Sequence, residues 1–369
     1  MQSLLIVTDP IADGYSVQFE FIKSITSILR NTYNVSVFSP YLTEKKAETL
    51  EKSGIGAIVP EKKFHMNNLL KRIGRSNESM LWVESWFREA YLGRNSIPPD
   101  FSAEFDRKVN LSTTVPVKAD VWWIQGRSFY YTLLDISKSS GLIKYGLKLL
   151  GRSIKKHDLT LLERLKNESG TIITNAKYLK EFYENLGFNI EDVVYTAKDF
   201  SAFRPVSEKR ENYVLTYIGK ETDIDAIIKL ADAGIRIKGF GSKVPVGISL
   251  NELKNRIEYL GYVSHDELLN LYSEALFTAF PFIEEPFGYV PIESMACGTP
   301  VLSYNKQGPG ETIINGKTGW LVSSVREFVE LGRKIWNDGH KISREDCIER
   351  AKEFSTEKSV EKLLALLKD

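Results

Sequence analysis

Apolar residues in the first half of the chain fall into short runs separated by amphipathic stretches. Residues 4–8 predict a short strand. Residues 17–29 carry helical spacing, with Phe21, Ile25, Ile28 and Leu29 on one face, and residues 35–39 predict the next strand. A strand–loop–helix–strand order argues for a parallel sheet with crossover helices. Further strands are predicted at residues 55–59, 121–124, 171–174 and 193–195. Residues 60–118 mix Trp82, Trp86, Phe87, Tyr91 and Phe101 with charges and Pro98-Pro99, and read as helix and loop insertions. The second half alternates again, with strands at 214–218, 235–240, 258–262 and 276–280 and helices at 223–233, 250–257 and 265–274. No internal repeat or low-complexity tract interrupts the pattern.

Between the halves lies a polar stretch, AKDFSAFRPVSEKRENY at residues 197–213, with Pro205 and a charged run, which marks a domain boundary. A chain of 369 residues is long for one core, so two domains are expected, 1–206 and 207–345. Two doubly wound α/β domains place ligands at the carboxyl ends of their strands, and a cleft between two facing domains is expected.

Composition narrows the function. A formal net charge of +1 provides no global field to recruit nucleic acid or membrane, leaving only local patches. Cys297 and Cys347 have no metal-type spacing; they fit a reduced, cytoplasmic compartment or one disulfide. The start, MQSLLIVTDPIADG, lacks the basic n-region and apolar length of a signal peptide, and no stretch has the roughly 20 apolar residues of a spanning helix. His65, His157, His265 and His340 are scattered without ligand-type neighbours, so no metal site is expected.

The most informative stretch is EPFGYVPIE, residues 285–293. Pro291 suits the first turn of a helix, Gly288 allows close backbone approach, and the helix start presents N–H groups suited to phosphate. Carboxylates on either side, Glu285 and Glu293, make sense if they hold hydroxyls at the two ends of something like a nucleotide sugar. Together with MACGTPVLS at 295–303 and GPGETIINGKTGWLV at 308–322, this run resembles the E-x7-E region of the retaining glycosyltransferases of family four, which have the GT-B fold. The resemblance implies a last helix, residues 346–369, that crosses back to the first domain. It also implies a hexosyltransferase-type enzyme with a nucleotide-diphosphate-sugar co-substrate and no other cofactor.

By that resemblance Glu285 contacts the donor sugar and helps stabilise an oxocarbenium-like transition state. Glu293 binds the ribose, and the N–H groups of Phe287, Gly288 and Tyr289 meet the β-phosphate. Read from the residues alone, Glu285 is a loop acid capping the next helix and Glu293 an acid favoured by the helix dipole. Glu311 either closes the donor pocket or starts a helix. Gly219-Lys220, in GKETDIDAI after a strand, suits a pyrophosphate. The family's second lysine is absent near Thr222-Asp223, and Lys243 in GFGSK is the candidate replacement. Neither G-x-G-x-x-G nor a P-loop occurs there, which leaves a nicotinamide dehydrogenase or a P-loop ATPase unsupported. On the sugar and acceptor side, Asp13, Gly14 and Tyr15 follow the first strand. Gln125 and Arg127, in DVWWIQGR, stand where the family often has histidines.

The segment GLIKYGLKLLGRSIKKHD, residues 141–158, interleaves Lys144, Lys148, Arg152, Lys155 and Lys156 with aliphatic residues. It reads either as a surface helix with a solvated face or as a peripheral contact with the inner membrane face, which a lipid-linked acceptor would give a purpose. A sugar or lipid-linked acceptor is expected, and no nucleic acid. Two rival functions stay open: a GT-B phosphorylase or epimerase, and a non-catalytic nucleotide-sugar-binding module.

Overall fold

The computed structural model describes residues 1–13, 16–58, 78–93, 104–137, 141–195, 200–219, 221–241 and 248–368. Gly14, Tyr15, Lys220, Lys243, Phe101, Pro98-Pro99 and Asp199 lie outside them. The chain forms two compact units. The first comprises Met1–Asn175, Leu179–Lys198 and Thr356–Asp369, and the second Ala176–Tyr178 and Asp199–Ser355. Each unit is a doubly wound parallel sheet with crossover helices, which is the GT-B type of fold.

The first sheet has seven strands: β1 (Gln2–Val7), β2 (Tyr33–Phe38), β3 (Gly56–Ile58), β4 (Arg107–Asn110), β5 (Ala119–Ile124), β6 (Ser169–Thr174) and β7 (Asp192–Val193). They lie in the order β3-β2-β1-β4-β5-β6-β7, and every pairing is parallel. The sheet is covered on both faces, as parallel sheets require. Leu4 and Ile6 join one core cluster, while Leu5 and Val7 join another with Phe38, Val115 and Val117. Phe21, on the helix Val17–Leu29, meets Trp123 of β5 edge to face with ring centroids 5.1 Å apart.

The segment 60–118, expected to hold only helices and loops, contributes β4 to the centre of this sheet, besides the helix Glu78–Trp86 and the π-turn Phe87–Tyr91. Its sequence, RKVN, hides the strand because only Val109 is an apolar signal. Arg107 instead pairs with Asp120, and Asn110 is buried with its side-chain amide donating to the Val115 carbonyl.

The second sheet contains β8 (Val214–Tyr217), β9 (Ile237–Phe240), β10 (Glu258–Gly261), β11 (Phe277–Phe280), β12 (Val301–Tyr304) and β13 (Gly319–Val322). Its order is β10-β9-β8-β11-β12-β13, with all pairs parallel. The order reverses between β8 and β11, so the connections leave these neighbours in opposite directions and open a crevice at their carboxyl ends.

The chain divides before Asp199 rather than after 206, because the turn Phe200–Ala202 and the segment after it pack with the second unit. The Val206 N–H donates to Ser273, for example. The return to the first unit begins at Thr356 rather than 346. The helix Arg344–Lys352 stays with the second unit, where Arg350 donates to the carbonyls of Glu311 and Thr312 at 2.6 and 2.9 Å. The last helix, Thr356–Leu366, places Val360 and Leu363 in the main core of the first unit, and Leu367 joins them.

At the reversal point of the first sheet, between β1 and β4, the carboxylate of Asp9 is buried. It accepts from the hydroxyls of Ser112 and of Thr114 (2.6 Å) and from the Thr113 N–H at 3.1 Å. Loss of solvent pushes the Asp9 carboxyl above the usual carboxylate range, against the opposing pull of these hydrogen bonds. The network ties the loop after β4 to the end of β1. Cys297 and Cys347 are separate buried thiols, each pushed up to about 12 chiefly by burial, so neither is poised as a nucleophile. Among the described residues no helix is long and apolar enough to cross a membrane.

Replacing Asp9 by Ala strands its buried donors without an acceptor. Asp9→Ala is expected to lower the unfolding free energy by roughly 3 kcal/mol, measured by urea unfolding.

Candidate functional site

Of the residues that the sequence singles out in the second unit, Gly219 follows β8, and Glu285, Phe287 and Gly288 follow β11, beside the crevice between these strands. The two loops that frame it are joined by backbone hydrogen bonds. The Asp223 N–H reaches the Pro281 carbonyl at 3.1 Å, and the Ile283 N–H reaches that of Glu221 at 2.8 Å. Thr222 and Asp223 act structurally here. Thr222 Oγ1 accepts from the Gly219 N–H at 2.9 Å and donates to the Tyr217 carbonyl at 3.0 Å, closing the turn after β8. Asp223 caps the helix Ile224–Asp232 and accepts from the Tyr304 hydroxyl at 2.8 Å. The Gly219 N–H thus donates within its own turn.

Residues 281–288 form the loop after β11, and the helix Tyr289–Ala296 follows with Gly288 as its N-cap. Gly288 has φ 89°, a left-handed conformation that a side chain would strain, and this lets the chain turn sharply into the helix. Pro291 lies in the first turn, as expected. The Glu285 carboxylate turns back over this helix start. Its Oε1 accepts from the N–H groups of Phe287 at 3.3 Å and Gly288 at 3.0 Å. Those are two of the three N–H groups that the family resemblance reserves for phosphate. Glu285 therefore engages the loop N–H groups that lead into the helix, whose N-cap is Gly288.

Glu293 lies one turn further on and is buried. The hydroxyl of the fully buried Tyr272 donates to its Oε2 at 3.0 Å, fixing the carboxylate's orientation. Burial, together with the charge of Glu293, raises the Tyr272 phenol well above its ordinary range, so it stays a donor. Phe287 is buried against Phe354, and the ring of Tyr289 packs on Phe287 and Phe200.

The site loop is held from behind by residues 306–308. Lys306 Nζ donates to the Ile283 carbonyl at 2.9 Å, and the Gly308 N–H donates to the Glu285 carbonyl at 3.2 Å. Gln307 Oε1 accepts the Glu285 N–H at 2.6 Å, while its Nε2 donates to Glu284. Only glycine fits at 308, where a Cβ would lie 2.1 Å from the Phe287 carbonyl oxygen. Glu311, expected either to close the donor pocket or to start a helix, is the fifth residue of the helix Gln307–Thr312. Its carboxylate accepts from the backbone N–H groups of Lys177 and Tyr178 at 2.8 and 2.7 Å, residues of the same compact unit.

In the first unit Asp13 is exposed. The Gln125 side chain donates to the Trp123 carbonyl at 3.3 Å, and its Oε1 accepts from Asn175 at 3.4 Å. Arg127 forms an ion pair with Asp135 and stacks on Phe182 at 4.5 Å, so its guanidinium is engaged within its own unit. Two features of the sites escaped the sequence reading. Asp9 is signalled by an acid directly after a strand together with the hydroxyl run Ser112-Thr113-Thr114. Gln307 is signalled only by a long amide immediately before the glycines of the GPGET segment. Among the described residues no group of three or more His, Cys, Asp or Glu side chains is arranged to hold a metal ion.

Comparison with known proteins adds to this geometry. Residues 246–354 match the family model described as "Glycosyl transferases group 1". A probable sucrose-phosphate synthase of Thermosipho melanesiensis is 36% identical over 118 residues, covering 31% of this chain and 28% of that protein. An uncharacterized glycosyltransferase of Methanocaldococcus jannaschii is 31% identical over 211 residues, covering 53% of this chain and 57% of that protein. The chain thus matches less than two thirds of the length of either relative. Among solved structures, Anabaena HepE in complex with UDP-glucose superimposes with a TM-score of 0.65 at 15% identity, covering 100% of both chains. TarM superimposes with a TM-score of 0.64 at 11% identity, over 100% of this chain and 99% of that one. At such identities these structures speak for the fold.

Two glycines test the packing behind the site. A Cβ on Gly310 would meet nothing closer than 3.4 Å, in contrast to Gly308. Gly308→Ala is expected to cost about 1–3 kcal/mol of stability, while Gly310→Ala stays near neutral. Paired urea unfolding curves measure the difference.

Proposed function

We propose that this chain, whose residues 246–354 belong to the glycosyl transferases of group 1, is a retaining, metal-independent glycosyltransferase. It moves a hexosyl group from a nucleotide-diphosphate sugar to a hydroxyl acceptor. The observation that carries this reading is the convergence of the Phe287 and Gly288 N–H groups on one anionic oxygen, at the start of a helix and at the reversal point of a doubly wound sheet. Such a helix start favours phosphate through its N–H groups and its dipole. When the donor binds, its β-phosphate takes these N–H groups and the Glu285 carboxylate turns to the sugar. Glu293, oriented by Tyr272, accepts from the ribose hydroxyls. Lys220 and Lys243 are the cations assigned to the pyrophosphate. HepE, a structural neighbour, was solved with UDP and with UDP-glucose, which supports a nucleotide-sugar donor.

In the reaction the bond between the anomeric carbon and the phosphate oxygen breaks. The acceptor oxygen bonds to the anomeric carbon on the same face, and its proton passes to the departing phosphate. The N–H groups stabilise the charge that gathers on the phosphate, and Glu285 stabilises the oxocarbenium-like sugar. The phosphate needs no metal in this scheme, because the helix start and the lysines supply positive potential.

The acceptor side favours a lipid-linked substrate at the inner membrane face. The helix Gly141–Asn167 carries exposed Lys144, Lys148, Arg152, Lys155 and Lys156, with no acid from 141 to 157. Tyr145, Leu149 and Leu150 stand among them at 62%, 67% and 60% exposure. Lys144, Lys148, Arg152 and Lys156 recur every fourth residue, and Tyr145 and Leu149 have the same spacing, so cations and apolar groups share one face. That face suits an anionic bilayer surface.

A thermal-shift panel of UDP-, GDP- and ADP-sugars is expected to single out one donor, with about 2.7 kcal/mol of added stability at a hundred times Kd. With that donor, Glu285→Gln should lower turnover on the order of a hundredfold while folding and donor binding persist. Full turnover by this variant would remove Glu285 from the chemistry, and donor binding without any turnover would favour a binding module. Sedimentation with phosphatidylglycerol vesicles tests the helix. Binding should weaken with salt and be lost in Leu149→Glu, whereas binding unaffected by both would exclude the helix as the contact.

A further inference from the structure

We propose that Gln307 is a positioning residue that decides which of two adjacent acids, Glu284 or Glu285, is presented to the phosphate-binding helix start, resting on the glycosyltransferase reading above. Gln307 has φ 50°, and among the described residues it is the only one other than glycine in the left-handed region. A side chain is disfavoured there because its Cβ crowds the backbone, and glycine is the residue that would relieve the strain. Strain of this kind persists where the surroundings over-determine it, and it clusters at functional sites.

What holds Gln307 is its own amide. The Glu285 N–H donates to its Oε1 at 2.6 Å, and its Nε2 donates to the Glu284 carboxylate. Because Oε1 must accept from a backbone donor, the amide cannot flip, and Nε2 is directed at Glu284. Glu284 is thereby occupied, and Glu285 is the acid that reaches Phe287 and Gly288. The flanking bonds, Lys306 Nζ to Ile283 and the Gly308 N–H to the Glu285 carbonyl, fix the depth at which the amide enters the loop.

No other residue type does all of this. A glutamate at 307 would accept from the Glu285 N–H but repel Glu284. An asparagine is one methylene short. A glycine would relax the backbone and leave both acids to compete for the same N–H groups.

The variant Gln307→Gly separates a side-chain role from a backbone role, because glycine adopts this φ without strain. In the protein alone, amide hydrogen exchange at Glu285 should accelerate about tenfold in Gln307→Gly. With whichever of UDP-glucose, GDP-mannose or ADP-glucose gives the largest thermal shift, kcat should fall about tenfold or more at nearly unchanged KM, because the phosphate site persists while the acid is misplaced. Gln307→Glu should lose turnover as well. Wild-type turnover in Gln307→Gly, or unchanged exchange at Glu285, would overturn the proposal. Absence of turnover by the unmodified chain on all three donors would count against glycosyl transfer, and the exchange measurement would then decide the clamp by itself.

Discussion

The pairing of β8 with β11 is the constraint from which the candidate site follows. Two parallel strands become neighbours although two others intervene in sequence, and the chain leaves their ends in opposite directions. Backbone groups at the carboxyl ends are then left without strand partners. Part of that need is met where the loops join, through Asp223 with Pro281 and Ile283 with Glu221. Just before the helix that starts at Tyr289, the N–H groups of Phe287 and Gly288 are met by the Glu285 carboxylate. The crevice therefore exists because of strand order, and a helix begins beside it.

The answer given by Glu285 is a local one. Its carboxylate braces the turn into the helix through the N–H groups of Phe287 and Gly288. In the proposed reaction the donor phosphate takes these N–H groups from Glu285, one charge-assisted set of hydrogen bonds replacing another. The buried pair of Tyr272 and Glu293 behaves differently, because the phenol stays protonated and the carboxylate keeps its direction.

Much of this was legible in the sequence, and the failures have physical causes. The largely apolar runs at β1, β2, β8 and β11 announced both sheets because strands covered on two faces are rich in apolar residues. β4 escaped because RKVN satisfies its position with an ion pair and a buried amide, which leave no hydrophobic pattern. The acid pair of EPFGYVPIE was legible as residues at a spacing, but the direction in which Glu285 points depends on a contact with Gln307, twenty-two positions away. Arg127 and Glu311 look like ligand contacts in sequence because charge at a strand end or helix start suits an anion or a sugar. Asp135 engages Arg127, and the N–H groups of Lys177 and Tyr178 engage Glu311, and only tertiary structure reveals such partners.

The helix Thr356–Leu366 has a bearing on how the chain is made. Its Val360 and Leu363, with Leu367, complete the core that β1 and the helix Val17–Leu29 begin. The first unit therefore lacks part of its interior while the ribosome is still building residues up to 355. The second unit, nearly continuous from Asp199 to Ser355, needs none of the residues after 355. At roughly 5–20 residues per second, the amino-terminal half waits many seconds with an apolar groove exposed. The interior of the first unit is unfinished until residues 356–367 have been made.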